Sequence, residues 1–379
     1  MALVRVDHGF RRYAFSVAYD GLNCLGFSYQ GKQENCINPQ GSDLRGLHSV
    51  EGKIRLALSS LVDGIKYDLK IGYDPESLWQ GNHFENMQVS SRTDRSVHAL
   101  KNTFHVDIRT KDGNIWEPGK LVKGLNFHMI RNSRSQVNHL LQSCNDHFPR
   151  HLTRLPENDV RITSCKFAPE KLLPNKLYLE GVFDDQPSHI AWNARFTATS
   201  RTYVYRILCH KKPDYEDEKS SLVEEYGYPF EANRSWRIHC NQELDMDAMK
   251  TAAQYLSGTH DFSSFRGKGC YRSTPIMTVE DISIRSIPML DNWVIREGLS
   301  SEIEESNNAQ LLTISVKGNA FLYRQVRNLI GCLVTVGQQK ISPTNVIDIL
   351  EGKDRKLAPV MAPAHGLYLV NVEHGDFCI

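Results

Sequence analysis

Apolar and polar residues alternate in five stretches of the chain, which is the pattern of β-strands that pack one face on a core. The alternating stretches are 13–19, 103–108, 203–208, 312–316 and 367–372. The first of them ends at Asp20-Gly21, a pair that is typical of tight turns. The pattern therefore predicts strands in both halves of the chain.

Between these strands, apolar residues recur at helical spacing. The predicted helices are 49–62, a segment that begins after Asp245, a segment that begins after Gly318-Asn319, and one opened by Pro343. Ser49 and Asp245 are suitable N-caps because their side-chain oxygens can accept from the first free backbone N–H groups. Strands and amphipathic helices in mixed order favour an α+β fold.

The length of 379 residues predicts about two domains. We expect two α+β halves, 1–190 and 191–379. In the first half the periodic pattern weakens from about 127 to 190, where polar stretches predict loops and insertions.

The composition excludes several classes of protein. Hydrophobic residues make up 40% of the chain and charged residues 23%, with a mean hydropathy of −0.43. No apolar run approaches the roughly 18 residues of a membrane span, so we expect no contact with a membrane. The nine cysteines are scattered without any C-x-x-C spacing, which argues against a disulfide framework or a structural zinc site. A reduced intracellular compartment follows from this usage.

The N-terminal fifteen residues carry Arg5, Arg11 and Arg12 but no apolar core, which excludes a secretory signal. A very short mitochondrial presequence and a basic tail fit this segment about equally well. The mitochondrion and the cytoplasm or nucleus therefore both stay open as locations.

Charge is segregated along the chain although the formal total is only +1. Segments 195–212 and 317–340 hold five and four basic residues and no acid, whereas 213–231 holds seven acids and one lysine. One positive face on an otherwise acidic body suits the binding of a polyanion through its phosphates. The alternative is that these segments are solvated faces paired with each other.

The most unusual local string is SRTDRSVHA at 91–99, a polar loop placed just before a strand. Asp94 lies between Arg92 and Arg95, whose charges favour the ionised carboxylate. An aspartate in such a loop is often only a turn or cap residue. The other interpretation is a catalytic carboxylate in a basic cleft that attracts phosphates.

The segment SRTDRSVHALKNTFHVDI resembles the catalytic segment of the TruA-type tRNA pseudouridine synthase family. Six further segments follow in the family's order, and the strings TSRTY, LYRQVR and APAHGL are most similar to its eukaryotic tRNA pseudouridine synthase-like branch. The six segments are YDGLNCLGFSYQ, SVEGKIRLALSSLV, ARFTATSRTYVYRI, GTHDFSSFR, GNAFLYRQVRNLIG and APAHGLYLVNV. Together the seven collinear segments cover most of 13–125 and 194–373.

The resemblance implies an isomerase that breaks the N1–C1′ bond of a uridine in RNA, rotates the base and rejoins it through C5. This chemistry uses a carboxylate beside the ribose and needs no metal, redox group or nucleotide cofactor. We find no P-loop and no G-x-G-x-x-G in the chain. The implied partner is tRNA, with the anticodon arm as the family's usual target, or another structured RNA. Family analogy also allows a homodimer.

The resemblance also assigns roles to individual residues. Asp94 is the catalytic carboxylate, Tyr203 packs on the rotating base, and Arg327 pairs with the aspartate. Arg92 would contact the RNA backbone and help hold open the site of the flipped base. Further candidates for RNA contact are the basic residues Arg201, Lys317 and Arg324, and for each of them a salt bridge within the protein is an equally good interpretation. His98 is a fourth candidate, although its side chain is better suited to ordering the loop.

The implied fold is two ferredoxin-like halves joined into one continuous antiparallel sheet flanked by helices, with an active site in the cleft between the halves. Residues 63–87, 127–190 and 285–309 are expected insertions relative to the short bacterial members.

The catalytic loop departs from the family pattern at three positions. Ser91 and Ser96 stand where the family usually has glycine, and Arg95 stands where the family commonly has a small residue. If position 96 has a positive φ, serine there costs about 1 kcal/mol or more. Asp94, Tyr203 and Arg327 are all present, so we expect activity.

Two other functions compete with the synthase. A catalytically silent relative that binds or folds tRNA would be favoured by loss of Asp94, Tyr203 or Arg327. A glycoside hydrolase or nucleosidase would need a second acid near Asp94. The motif segments supply arginines instead.

Overall fold

The computed structural model describes residues 9–28, 49–64, 83–110, 115–143, 159–169, 192–211, 231–240, 243–288 and 309–379. Its strands belong to a large, mostly antiparallel sheet flanked by helices, so the α+β fold class is confirmed. Backbone contacts divide the chain into two compact units. The first is Met1–Thr199 with Asn371–Ile379, and the second is Ser200–Val370. No helix among these described residues is long and apolar enough to cross a membrane.

The first unit has the chain order βαββαβ. Its elements are β1 (Phe10–Tyr19), α1 (Val50–Val62), β2 (Phe84–Val89), β3 (His98–Arg109), α2 (Pro118–Ser143) and β4 (Val160–Phe167). The strand order is β4-β1-β3-β2, with antiparallel neighbours throughout. This order and connectivity are those of the ferredoxin-like motif.

The second unit repeats the same plan with additions. Its elements are β5 (Ser200–Lys211), β6 (Trp236–Cys240), α3 (Met246–Leu256), β7 (Gly258–Asp261), β8 (Ile276–Pro288), β9 (Ala309–Gly318), α4 (Gln325–Gly337), α5 (Asn345–Gly352) and β10 (Leu367–Glu373), of which residues 367–370 belong to this unit. The strand order is β10-β5-β9-β8-β7, and β6 pairs with β5 in parallel. Without β6, β7 and α5, the chain order is again βαββαβ.

The two predicted N-caps form as expected. Ser49 Oγ accepts from the backbone N of Gly52 at 3.0 Å, and Asp245 Oδ1 accepts from the backbone N of Ala248 at 2.8 Å. The predicted inward residues of α4 are buried, among them Leu329, Ile330 and Leu333. Each cap satisfies one of the backbone donors that a helix start leaves open.

Part of the predicted loop region 127–190 is regular structure, so that prediction was wrong there. Helix α2 continues to Ser143, and β4 occupies 160–167. The pattern of α2 is weak because its first turns bury a narrow stripe of Leu121, Leu125 and Met129. Strand β4 lies at one end of the strand order and pairs with β1. The expected insertions at 144–158, 170–190 and most of 63–87 and 285–309 lie outside the described residues, as do residues 1–8 and 212–230.

Candidate active site

The loop between β2 and β3 carries Asp94 in a tight turn. The backbone N of Val97 donates to the carbonyl of Asp94 at 3.2 Å. Ser96, the third residue of this turn, has a φ of +63°, whereas Arg95 is not among the residues with positive φ. These are the φ signs of a type II turn, which favours glycine at its third position. The expectation of a positive φ at 96 is therefore confirmed.

The strain at Ser96 leads to a stability prediction. A Ser96→Gly variant should raise the free energy of unfolding by up to about 1 kcal/mol, because glycine adopts positive φ without a Cβ clash. Urea denaturation of the variant beside the wild type measures this difference. A loss of stability instead would show that the serine side chain stabilises the turn by more than the strain costs.

The turn after β1 holds the Asp94 loop by backbone contacts. The N–H of Phe27 donates to the carbonyl of Thr93 at 3.1 Å, and the N–H of Ser96 points to the carbonyl of Cys24 at 3.4 Å. Gly26 has a φ of +106°, and a Cβ there would lie 2.9 Å from the Thr93 carbonyl. A side chain is thus excluded where the turn and the loop meet.

The polar side chain of Asn102 fixes the other side of the loop. Its Nδ2 donates to the Ser91 carbonyl at 2.8 Å and to the Tyr19 hydroxyl at 3.1 Å, and its Oδ1 accepts from Ser90 Oγ at 2.9 Å. The Tyr19 hydroxyl is also hydrogen-bonded to Thr93 Oγ1 at 2.8 Å. Asn102 is fully buried. The residues on both sides of Arg92 are therefore anchored from the sheet, a role of Asn102 and Tyr19 that no sequence pattern indicated.

A Tyr19→Phe variant tests whether this anchoring matters for activity. Removing the hydroxyl leaves buried partners unsatisfied and should cost about 1–3 kcal/mol of stability. Turnover should fall as well, because Thr93 and Asn102 lose a contact that holds the loop. The matched control is Tyr13→Phe on the same strand, whose hydroxyl donates to the Trp116 carbonyl at 2.8 Å. It should lose stability and keep its turnover. Equal turnover in the two variants would contradict the role of Tyr19.

The structure places His98 inside the first unit. Its side chain is 2% exposed, and its Nδ1 accepts from the backbone N of Gly21 at 3.2 Å. Asp20 Oδ1 is 3.2 Å from the same nitrogen. This is the placement of a residue that orders the loop and the turn, and it leaves almost no surface for an RNA contact.

The turn after β1 is itself tied down by a buried ion pair. Lys53 of α1 pairs with Asp159, and the carbonyl of Asp159 accepts from the backbone N of Asp20 at 2.8 Å. Burial raises the pKa of the neighbouring Cys24 thiol to about 12. Cys24 is therefore protonated at neutral pH and is unsuited to nucleophilic attack.

Asp94 is half-buried on this clamped loop, and Arg92 and Arg95 on either side of it are exposed. A carboxylate held at fixed geometry beside exposed guanidinium groups can act on a ribose while the arginines attract phosphates. Among the described residues, no group of three or more His, Cys, Asp and Glu side chains could hold a metal ion.

In the second unit, Tyr203 lies on β5 opposite Val316 of β9. Its side chain is buried, and its ring makes a T-shaped contact with the ring of Phe321, with the centroids 5.4 Å apart. The hydroxyl-bearing ring is thus held by the segment that follows β9.

Arg327 lies in the first turn of α4 and is half-buried. Its Nε donates to the Ala362 carbonyl at 2.9 Å, and its own carbonyl accepts from the backbone N of Ala362 at 3.1 Å. The pKa of Tyr205 is raised by burial and lowered in part by the charge of Arg327, with a net rise. Tyr205 therefore stays neutral while it donates to the Pro363 carbonyl at 2.8 Å.

The three basic candidates for phosphate contact differ in their surroundings. Arg201 is 4% exposed, and its Nη1 donates to the Asn319 carbonyl at 2.7 Å. Lys317 Nζ lies 3.7 Å from Glu280 Oε2 and is half-exposed. Arg324 is exposed and has a φ of +62° at the N-cap of α4. Arg324 is thus the one of these three that presents most of its side chain to solvent.

Asn328, four residues after Arg324 and therefore on the same side of the helix by spacing, does not share its exposed surface. It is buried, and its Nδ2 donates to the Phe265 carbonyl at 2.7 Å. Segment 262–265 packs against that side of α4, which the helical spacing alone could not indicate. The basic residue Arg206 is paired with Glu231, in accord with the interpretation of mutual pairing for part of the charged segments.

Comparison with known proteins places the chain in the class of RNA pseudouridine synthases, as the resemblance implied. A family model described as tRNA pseudouridine synthase matches residues 252–374. The mouse protein tRNA pseudouridine synthase-like 1 is 31% identical over 297 residues, which are 76% of this chain and 78% of the mouse protein. The chain therefore belongs to the tRNA pseudouridine synthase family.

Two further relatives cover nearly the whole chain. Human tRNA pseudouridine synthase-like 1 is 29% identical over 346 residues, 89% of this chain and 88% of the human protein. The tRNA pseudouridine synthase A of Caulobacter vibrioides strain NA1000 / CB15N is 27% identical over 365 residues, 96% of this chain and 99% of that protein. The similarity thus spans both units of the chain.

Proposed function

We propose that the chain converts uridine to pseudouridine in tRNA, with Asp94 as the carboxylate that acts on the ribose. The observation that carries this proposal is the loop around Asp94. Backbone contacts from the β1 turn and the buried amide of Asn102 hold the loop on two sides, while Asp94 itself stays half-exposed. Family membership supports the same reaction.

The reaction balances within one nucleotide. The N1–C1′ bond breaks, the uracil ring turns, a C5–C1′ bond forms, and the hydrogen at C5 leaves as a proton while N1 gains one. Asp94 would act on the ribose as nucleophile or base. The fixed loop contributes by holding the carboxylate in place before the base moves.

We assign supporting roles to Tyr203 and Arg327 on the resemblance of their segments to the family. Tyr203 would pack against the turning base. Its position on β5, in contact with the Phe321 ring, suits that role. Arg327 would pair with Asp94 and orient its carboxylate. Its guanidinium is already held by the Ala362 carbonyl.

For the substrate, we propose a uridine in the anticodon arm of tRNA, extruded from its stack as base-modifying enzymes require. The exposed Arg92, two residues before Asp94, is suited to a backbone phosphate beside the flipped nucleotide. Family analogy further supports a homodimer, which sedimentation equilibrium of the full chain tests.

The test is tritium release from tRNA transcripts labelled with [5-³H]uridine, since the reaction displaces the C5 hydrogen. Wild-type protein should release tritium from the full transcript. A matched transcript with every anticodon-arm uridine replaced by cytidine should release none. Release from both transcripts would place the target elsewhere in tRNA. No release from either, with total tRNA also inert, would contradict the synthase and favour the silent RNA-binding relative.

A further inference from the structure

The second unit carries a surface that combines positive charge with exposed aromatic rings. We call it the basic–aromatic surface, and it consists of Arg266, Lys268, Tyr271, Arg272, Tyr323 and Arg324. The side chain of Tyr271 is fully exposed and that of Tyr323 is 39% exposed. Exposed tyrosines beside several cations are unusual on a surface that serves only solubility.

The two segments that form this surface are fastened to each other. The N–H of Gly267 donates to the Tyr323 carbonyl at 2.8 Å, and Cys270 Sγ accepts from the N–H of Tyr323 at 3.5 Å. A Cβ on Gly267 would lie 2.9 Å from the Tyr323 ring and carbonyl. Arg266 Nη2 also donates to the Cys270 carbonyl at 2.7 Å. The surface is therefore organised before any partner binds.

Its charge is all of one sign. Neither 262–275 nor 318–340 contains an acidic residue. The guanidinium of Arg324 lies 4.7 Å from the centroid of the Tyr323 ring, so the ring orients the charge by a cation–π contact. Cations that track a phosphate backbone and rings on which bases stack are the two parts of a single-strand nucleic-acid site.

We propose that the basic–aromatic surface binds unpaired nucleotides of the RNA substrate, with a base stacked on Tyr271. Bases of a duplex are already stacked and offer no free face, so the surface selects looped RNA. Arg324 is three residues from Arg327, about 4.5 Å along the axis of α4. The surface therefore adjoins Arg327 within the second unit. This inference rests on the proposed function only in taking the RNA to be the substrate.

The first test compares binding of two fluorescent RNAs, an anticodon stem-loop and a fully paired duplex of the same stem, by anisotropy at several salt concentrations. Tyr271→Ala should weaken stem-loop binding about tenfold without changing the salt dependence. Tyr271→Phe keeps the ring and should bind like wild type. Lys268→Ala should lower the slope of log K against log salt by about 0.7. The matched control, Lys250→Ala, removes an exposed charge from α3, outside both basic segments, and should change neither quantity.

Several outcomes would overturn the proposal. Wild-type affinity of Tyr271→Ala for the stem-loop would do so, as would an equal loss of stem-loop and duplex binding. If Tyr271→Ala reduced only the self-association of the chain, measured by sedimentation, the surface would be assigned to binding a second copy of the chain. Absence of tritium release by the wild type would refute the proposed reaction. The binding assay would still decide whether the basic–aromatic surface binds unpaired nucleotides.

A second test needs no variant. The free thiol of Cys270 lies within this surface, and that of Cys378 is exposed near the C-terminus. Stem-loop RNA should slow alkylation of Cys270, followed by mass spectrometry, and leave the rate at Cys378 unchanged. Equal rates at Cys270 with and without RNA would contradict the proposal, as would equal protection of both thiols.

Discussion

An Asp94→Asn protein should release no measurable tritium from labelled tRNA under conditions where the wild type reacts to completion. We expect a loss of at least about 10⁴-fold, because an amide can serve neither as the nucleophile nor as the base on the sugar. The substitution is nearly isosteric and removes only the charge of a half-buried residue, so the fold should persist. Single-turnover assays with enzyme in excess measure this limit.

Asp376→Asn provides the matched control, since Asp376 is an exposed aspartate in the same unit. It should react at the wild-type rate. Circular dichroism and stem-loop affinity should show that the Asp94→Asn protein is folded and still binds RNA. Wild-type release by that folded protein would show that another group carries the chemistry.

The second large effect concerns Gly21, in the turn after β1. A Cβ at this position would lie 2.0 Å from the carbonyl oxygen of Val97 and 2.4 Å from its carbonyl carbon. The obstacle is backbone, so Gly21→Ala must push the turn and the Asp94 loop apart. We expect a loss of about 3 kcal/mol or more in unfolding free energy. Turnover should fall further than the unfolded fraction explains, because the Asp94 loop moves.

Gly119→Ala is the comparison for this variant. Gly119 lies in the first turn of α2, and a Cβ there meets nothing within 4 Å. Alanine should be neutral or stabilise α2 by up to about 1 kcal/mol. Urea denaturation and tritium release of both variants, assayed well below their midpoints, give the comparison. A Gly21→Ala protein as stable and active as the wild type would contradict the close packing of turn and loop.

The features that the sequence predicted well are local ones. Ser49 and Asp245 cap their helices because the acceptor and the backbone donor lie within three residues of each other. The positive φ at Ser96 was expected because the family that the segment resembles usually has glycine at this position. Such features depend on residues that are close along the chain, so they can be predicted without knowledge of the fold.

The features that it missed depend on residues remote in sequence. Asn102 anchors the Asp94 loop only because β1 and β3 pair in a register that brings Tyr19, 83 positions away, to its amide. Helix α2 extends into the region that was predicted as loop, and β4 lies within that region. Both elements were missed because narrow apolar stripes give little periodic signal.

The same division applies to the basic residues. The sequence by itself determined that arginines and lysines concentrate in 195–212 and 317–340, and that Asp94 lies in a polar loop before a strand. Only the tertiary structure decided that Arg201 is buried against the Asn319 carbonyl whereas Arg324 faces solvent above the Tyr323 ring. The reason is that charge belongs to the residue, whereas the exposure that lets a charge meet a ligand is set by whatever packs against it.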